Sequence, residues 1–409
     1  MSAARAEDLK QELRRAERRK QRRTLGLVAP PALFLFVVFA LPIALMLFRA
    51  IQNPEIVENF PQTAEQIQHW DGQGVPDETV IATFVAELRA AADERRLANP
   101  GRRLNYEING YRSLLRRTAY SLPDEPKEGS WTATLRAFDS RWGETTYWRA
   151  IKDNATPYTL DYFLSALDLK RAADGGIQWV APDEAIFLDI YARTFWMAFV
   201  ITASALLLGY PVAYLMTNGS RTTQAVLLFF VLLPFWTSLM VRTAAWMVLL
   251  QTNGPINDFL LWLGVIGEPL ELLYNRIGVY IGMIHVLLPF MIMPIYAVMR
   301  GIPASHMRAA TSLGAPPWRA FLRVYLPQTL PGVAAGCLLV CILAIGFYIT
   351  PALLGESDDQ LISYFIAFYT NETLNWGLAS ALSVILLLMV FVLYGVFTRV
   401  AGFGRIQVS

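Results

Sequence analysis

Six stretches of this chain run for 20 residues or more without a charged side chain: 25–48, 194–220, 222–241, 277–299, 324–355 and 373–398. A helix rising 1.5 Å per residue needs about 20 apolar residues to cross the hydrocarbon core of a bilayer. Lipid offers no partner to a free backbone N–H or C=O, and these runs are too long for barrel strands, so each must fold as a helix. Trimmed to their most apolar parts, they place spans near 26–48, 194–216, 225–250, 277–299, 332–354 and 377–398, the third continuing past Arg242 to about Leu250. The first run follows basic residues as a signal peptide does, but it is too long for a signal h-region and lacks a clear small-residue cleavage site, so it reads as a retained helix.

Composition excludes several function classes. The chain is 55% hydrophobic and only 17% charged, where soluble domains carry about a quarter charged residues. Disorder, a fibrous repeat and an ordinary cytosolic enzyme are ruled out. Cys337 and Cys341 lie four apart inside an apolar run, which is packing on one helix face rather than a disulfide or zinc pattern. His69, His285 and His306 are far apart, and no nucleophile–base set or carboxylate pair stands in a plausible site. The reading is an all-α polytopic membrane protein.

Lys and Arg orient it. Residues 1–24 hold nine basic side chains. With that segment inside, the spans alternate so that Arg221, the 300–330 loop (Arg300, Arg308, Arg319, Arg323) and the tail (Arg399, Arg405) also fall inside. The 355–376 loop, with Glu356, Asp358, Asp359 and Glu372 and no basic residue, falls outside. The N-terminal segment can form a charged helix over Ala6–Arg23, read as a topology signal at anionic headgroups rather than a nucleic-acid arm.

Residues 51–186 are a different kind of chain. They carry 15 Lys+Arg against 21 Asp+Glu, and their neighbours put them outside, as a mainly helical extracytoplasmic insertion between the first two spans. Apolar spacing predicts an amphipathic helix over 80–97 and shorter helices over 111–120 and 158–169. The stretches 99–101 and 122–130 read as turns. Trp70, Phe84, Trp131, Phe138, Trp142, Trp148 and Trp179 are the expected core. The insertion is either a cap for a soluble binding protein or a folded spacer.

The most informative segment is the loop 300–330. Ala304–Leu313 is rich in helix formers, Gly314 suits a left-handed stop, and Pro316-Pro317 starts a second short helix over Trp318–Tyr325 that Pro327 should limit. Two angled helices beneath the bilayer, with Arg308, Arg319 and Arg323 around them, make a docking element; the plainer alternative is an interfacial linker.

The pattern Arg308-Ala309-Ala310, three residues, Gly314, then Phe321, Leu326 and Pro327 resembles the Glu-Ala-Ala loop of type I (MetI-like) ABC-importer permeases, with Arg308 where that family has glutamate. The runs 233–246 and 346–355, with Gly209-Tyr-Pro-Val-Ala-Tyr214, resemble the spermidine/putrescine-type permeases, over roughly 188–400. The resemblance implies six MetI-like helices, with spans two to six in a core over 187–400 and a cytoplasmic tail over 401–409. It implies a second permease, usually a different chain, two ATPase subunits on the cytoplasmic side, and an extracytoplasmic solute-binding protein. None of this chain's five lysines follows a glycine, so it has no phosphate loop; ATP and Mg belong to the partner, and this chain holds no cofactor and no metal.

Intramembrane polar groups and aromatic faces are the candidates for the substrate path: Trp236, Arg242, Trp246, His285, Phe347 and Tyr348. Each also has a plain structural reading. No span core holds an Asp or Glu, so a polyamine is favoured by the resemblance and not required by these residues; an amino acid-like, opine-like or anionic solute stays open, as does an ATPase-independent secondary transporter. Pro211, Pro234, Pro289, Pro294 and Pro351 interrupt the runs as kinks for gating or as static irregularities.

Overall fold

The computed structural model describes residue 20, residues 26–172 and residues 176–400. The tail 401–409 and, Lys20 apart, the basic segment 1–24 lie outside the described residues. The chain divides into two compact units, Met1–Leu160 and Asp161–Ser409.

The first unit opens with α1 (Gly26–Phe48), the first apolar run. A wide π-turn at Phe36–Ala40 interrupts it, with the Leu41 N–H bonded five residues back to Phe36 O. Pro42 follows directly. A proline ring collides with the carbonyl four residues earlier, and widening the preceding turn moves that carbonyl away.

Seven short helices follow: α2 (Pro54–Val57), α3 (Pro61–Ile67), α4 (Glu78–Asp93), α5 (Ala98–Glu107), α6 (Tyr111–Ser121), α7 (Trp131–Phe138) and α8 (Thr145–Asp153). Their core is aromatic. Phe84, Trp142 and Trp148 stand with ring centroids 5.2–5.3 Å apart, flanked by Phe60 and Tyr111. The two indoles keep polar partners inside: Trp142 Nε1 donates to Thr118 Oγ1 and Trp148 Nε1 to Trp142 O, both at 2.9 Å. Of the expected core, Trp70, Trp131 and Phe138 are half-buried against this cluster. Trp179 is 67% exposed and belongs to the second unit.

Two of the predicted turns and helices change. The 99–101 stretch is helical, because Pro100 sits in the first turn of α5, where no intrahelical N–H bond is lost. Gly101 is there for close approach, since a Cβ would lie 3.3 Å from Arg112 Cγ. Only Asp161–Ser165 of the predicted 158–169 helix forms.

The insertion closes on itself. Asn53 N donates to Pro157 O and Thr159 N to Ile51 O, each at 2.9 Å. The fully buried Asn53 side chain donates to Asn154 O at 3.1 Å and accepts from Arg103 Nε at 3.0 Å.

Charge fixes two corners of this unit. Arg141, aided by Arg117, holds the Asp139 carboxyl at about 2. Burial raises the Glu78 carboxyl, but its bonds from Thr132, Trp131 and Ser130 at the start of α7 outweigh that and leave it below the usual range. Both groups titrate lower folded than unfolded, so their stabilisation is complete above the unfolded carboxylate range near pH 4 and drains as pH falls toward 2. The urea midpoint of the full chain, read by tryptophan emission, is therefore expected to be lower at pH 3 than at pH 6. Asp139→Asn should narrow that gap, and an equal gap in the variant would refute the assignment.

The second unit begins with α9 (Asp161–Ser165) and a small antiparallel hairpin, β1 (Leu169–Arg171) with β2 (Ile177–Trp179). The buried Asp168 carboxylate between them accepts from the N–H groups of Ile186, Phe187 and Leu188 at 2.7–3.1 Å. That satisfies the free donors that begin α10 (Phe187–Asn218). Beyond it lie α11 (Arg221–Leu232), α12 (Leu239–Leu250), α13 (Pro255–Trp262), α14 (Arg276–Arg300), α15 (Ala304–Ser312), α16 (Pro317–Gly346), α17 (Ile349–Leu354), α18 (Ile362–Asn371) and α19 (Trp376–Val400).

Among the described residues, five helices are long and apolar enough to cross a membrane (α1, α10, α14, α16 and α19), and α11 and α12 reach that length and apolarity together, as a bent pair. Helices α10, α14 and α16 pack through glycines. A Cβ at Gly209 would sit 3.1 Å from Met291, one at Gly336 3.0 Å from Met291 O, and one at Gly332 3.0 Å from Pro294 O. With no hydrophobic drive between helices in lipid, such close approach supplies the packing.

Two predicted spans are corrected. The third is not one straight helix over 225–250: α11 and α12 meet at 104°. Pro234 ends the first part in a tight turn, and Ser238 starts the second by accepting from Val241 N at 3.2 Å. The fifth is not 332–354 but α16, which begins at Pro317 and absorbs the short helix expected to end before Pro327. A π-turn at Phe321–Tyr325 carries the chain past that proline, as in α1. Its C-terminal end stops at Gly346, because Pro351 cannot tolerate a helical carbonyl at Phe347; that carbonyl instead accepts from Ser363 Oγ at 2.6 Å. Pro211, Pro289 and Pro294 stay inside helices.

Candidate functional site

The loop between α14 and α16 is built as a stiff corner. Helix α15 ends in a Schellman motif: Ala315 N bonds Ala310 O at 3.1 Å and Gly314 N bonds Thr311 O at 3.0 Å. Gly314 has φ +87°, and a Cβ there would meet nothing within 4 Å. Glycine is needed for backbone conformation alone. Pro317 then opens α16 in its first turn.

Aromatic contacts fasten the corner to the end of α10. Phe321 and Tyr325 stack on each other and both meet the Tyr214 ring edge-on, all with centroids 5.7 Å apart. His306 Nδ1 lies 2.7 Å from Gln328 Oε1, tying α15 to α16.

The predicted coupling residues divide by side. Phe321, Leu326 and Ala310 are half-buried, while Arg308, Ala309, Gly314 and Pro327 are exposed. Sequence reasoning missed Leu313, which is 89% exposed although it lies on no span. It missed Trp318 too, 60% exposed, with Arg319 Cζ 5.0 Å over its ring. Both are apolar residues flanking a predicted stop, which was the available signal.

The predicted path residues are only partly brought together. Trp246 Nε1 donates to His285 Nδ1 at 3.1 Å, which places the imidazole proton on Nε2. Arg242 stands one turn before Trp246 on α12; its Nε is shielded from solvent and has no hydrogen-bond partner among the described residues. Phe347 and Tyr348 occupy the break between α16 and α17, Phe347 packed inward and Tyr348 43% exposed. Trp236 is 72% exposed beside Phe229, apart from the Trp246–His285 pair. Not foreseen was the meeting of the two broken helices, where Thr243 Oγ1 and Thr350 Oγ1 lie 3.4 Å apart between α12 and α17.

At the end of this unit opposite the loop, Arg276 Nε bonds the buried Asp359 at 2.8 Å. Beside it opens a polar cavity of about 600 Å³, lined by Gln251, Asn253, Glu271, Tyr274, Asn275 and Glu356. No group of three or more metal-ligating side chains occurs among the described residues.

Residues 205–402 match a family described as "Binding-protein-dependent transport system inner membrane component". The chain is 33% identical over 226 residues to the "Spermidine/putrescine transport system permease protein PotB" of Salmonella typhimurium (strain SL1344), covering 55% of this chain and 79% of that one. The protein of the same description from Haemophilus influenzae is 36% identical over 217 residues, covering 51% and 76%. Among solved structures, a bacterial ABC transporter involved in the import of the acidic polysaccharide alginate aligns at a TM-score of 0.42 and 18% identity, over 56% of this chain and 85% of that chain.

Proposed function

This chain belongs to the family of binding-protein-dependent transport system inner membrane components, and from that premise we propose that it is one half of an ATP-driven polyamine importer. It is a multi-pass permease subunit of an ABC importer and a transporter rather than an enzyme. In the proposed assembly its termini and the 300–330 loop face the cytoplasm. ATP and Mg are handled by two ATPase subunits under that loop. A second permease chain completes the path, and a soluble receptor delivers the solute from outside.

The observation that carries the reading is the loop's construction. It is clamped to α10 and α16 on one side and open on the other, so a push on α15 reaches the spans without being lost in a soft hinge. Gly314→Val forces a β-branched residue into the left-handed region, at about 1–2 kcal/mol or more, which corresponds to about a tenfold change in an equilibrium. Reconstituted with its ATPase and receptor, that variant is expected to lose about tenfold in spermidine uptake per ATP hydrolysed. Unchanged coupling would refute the reading, as would uptake that runs on an ion gradient without ATP.

The polyamine assignment rests on the relatives named above and on the cavity at the opposite end, where Glu271, Glu356 and the Tyr274 ring offer the carboxylates and the aromatic face that a polycation needs. A second reading, an anionic or zwitterionic solute, is favoured by one observation: the shielded Arg242 Nε, which has no hydrogen-bond partner among the described residues.

A further inference from the structure

We infer that the insertion carries a binding site for a phosphate-bearing ligand on the exposed face of α6, held by Arg112, Arg116 and Arg117. It lies outside the family match over 205–402 and is independent of the transport reading above.

Charge is sorted within the insertion. Residues 95–121 hold seven arginines and one acidic residue, Glu107, in a segment where Asp and Glu otherwise prevail. Glu107 is taken by the buried Arg103, whose Nη1 bonds it at 2.7 Å. Helix α6 buries Tyr111, Leu114, Leu115 and Thr118. Its other side presents two rows at helical spacing, Arg112-Arg116-Tyr120 and Ser113-Arg117-Ser121, all of them exposed. These side chains line a cavity of about 730 Å³, within the size range of small-molecule sites. Arg112 and Arg116 form no ion pair among the described residues, and like charges one turn apart destabilise a helix. Arg117 shares Asp139 with Arg141. Arg141 Nη1 reaches the same rim at Gly110, 3.8 Å from where a Cβ on that glycine would stand. Four guanidiniums thus face one carboxylate.

The site is made of side chains and not of a bare helix end. Asn105 Oδ1 already accepts from Gly110 N at 3.0 Å and from Arg112 N at 3.3 Å, which fixes the turn that carries Arg112. The donor set selects the occupant. Ammonium groups are repelled, so the polyamine proposed above as solute does not belong here. A monocarboxylate has two oxygens and satisfies one guanidinium fork. A phosphate monoester carries close to two negative charges and three acceptor oxygens, enough to span guanidiniums on adjacent turns. The cavity is larger than a phosphate group alone, which leaves room for the group that carries it, and the exposed Tyr120 ring adds a flat wall. A free phosphate ester and a headgroup ending in phosphate share this chemistry.

The test uses the full chain in phosphatidylcholine nanodiscs with inorganic phosphate as the probe. Calorimetric titration reads affinity, and tryptophan emission reads melting, with Trp142 bonded to Thr118 of α6 as a reporter. Phosphate is expected to bind and to raise the melting temperature, where acetate and chloride at equal ionic strength do not. Arg112→Gln combined with Arg116→Gln should weaken phosphate binding by about tenfold or more, through the loss of charge-assisted bonds. The corresponding double lysine variant, which keeps the charge without the fork, should lose less. Arg95→Gln, exposed and outside the cavity, should bind as the wild type does. Without phosphate the glutamine variant should melt no lower than the wild type, since it sheds a like-charge pair, and this separates lost binding from lost folding. Equal stabilisation by acetate, or wild-type affinity in the glutamine variant, overturns the site. In discs that contain phosphatidate, unchanged phosphate affinity assigns the site to a free ligand. Competition that vanishes in the glutamine variant assigns it to a headgroup.

Discussion

Trp148→Ala is expected to unfold the segment that separates the first span from the rest. The indole is fully buried, touches Phe84 and Trp142, and donates to a buried carbonyl. Removing such a ring costs about 3–5 kcal/mol, a large part of the ~5–15 kcal/mol that holds a domain together. Limited proteolysis of the full chain should then cut within 78–153, while α10, α14 and α16 stay protected. Trp131→Ala is the control: that ring is half-buried under Arg89, and its loss should leave the segment intact. A Trp148→Ala protein as resistant as the wild type would contradict the packing described.

The second large effect lies in the spans. Gly332 and Gly336, one turn apart on α16, both face α14. A Cβ at Gly336 would come within 3.0 Å of Met291 O, and one at Gly332 within 3.0 Å of Pro294 O. These are backbone oxygens, and they cannot swing aside as a side-chain tip does. Gly336→Val is expected to force the helices apart, costing at least the ~1–3 kcal/mol of ordinary overpacking and lowering the melting temperature of the solubilised protein. Gly346→Val places its Cβ in open space and should be close to neutral in the same assay. Equal melting of the two variants would rule out the close crossing.

The outcome shows what apolar patterning can and cannot reveal. Charge-free length located the membrane segments because the cost of a charge in hydrocarbon acts on every residue alike. Proline positions were equally visible, but their consequences were not. Pro211, Pro289 and Pro294 remain inside helices, whereas Pro234 and Pro351 sit at breaks. What separates them is local. At the breaks a side chain takes over: Ser238 starts a new helix, and Ser363 occupies the freed carbonyl of Phe347.

In the insertion, Phe84, Trp142 and Trp148 were legible as core because an aromatic ring has the most apolar area to gain by burial; the aliphatic residues that surround them, such as Ile81, Leu88 and Leu114, were less distinctive. Trp179 was misplaced because an isolated tryptophan carries no information about which unit it joins. The loop's stop at Gly314 could be read directly. The exposure of Leu313 could not, since a leucine beside a helix end is usually turned inward, and only the bonded geometry of the turn shows this one facing out. The Thr243–Thr350 contact was invisible, because it depends on two helix breaks coming to the same place.

The backbone bonds from Asn53 to Pro157 and from Thr159 to Ile51 have a consequence for the length of the chain. The polypeptide leaves its path and rejoins it at a single seam, like a parenthesis within a sentence. A change of length inside that parenthesis leaves both closing bonds in place as long as residues 51–53 and 157–159 still meet.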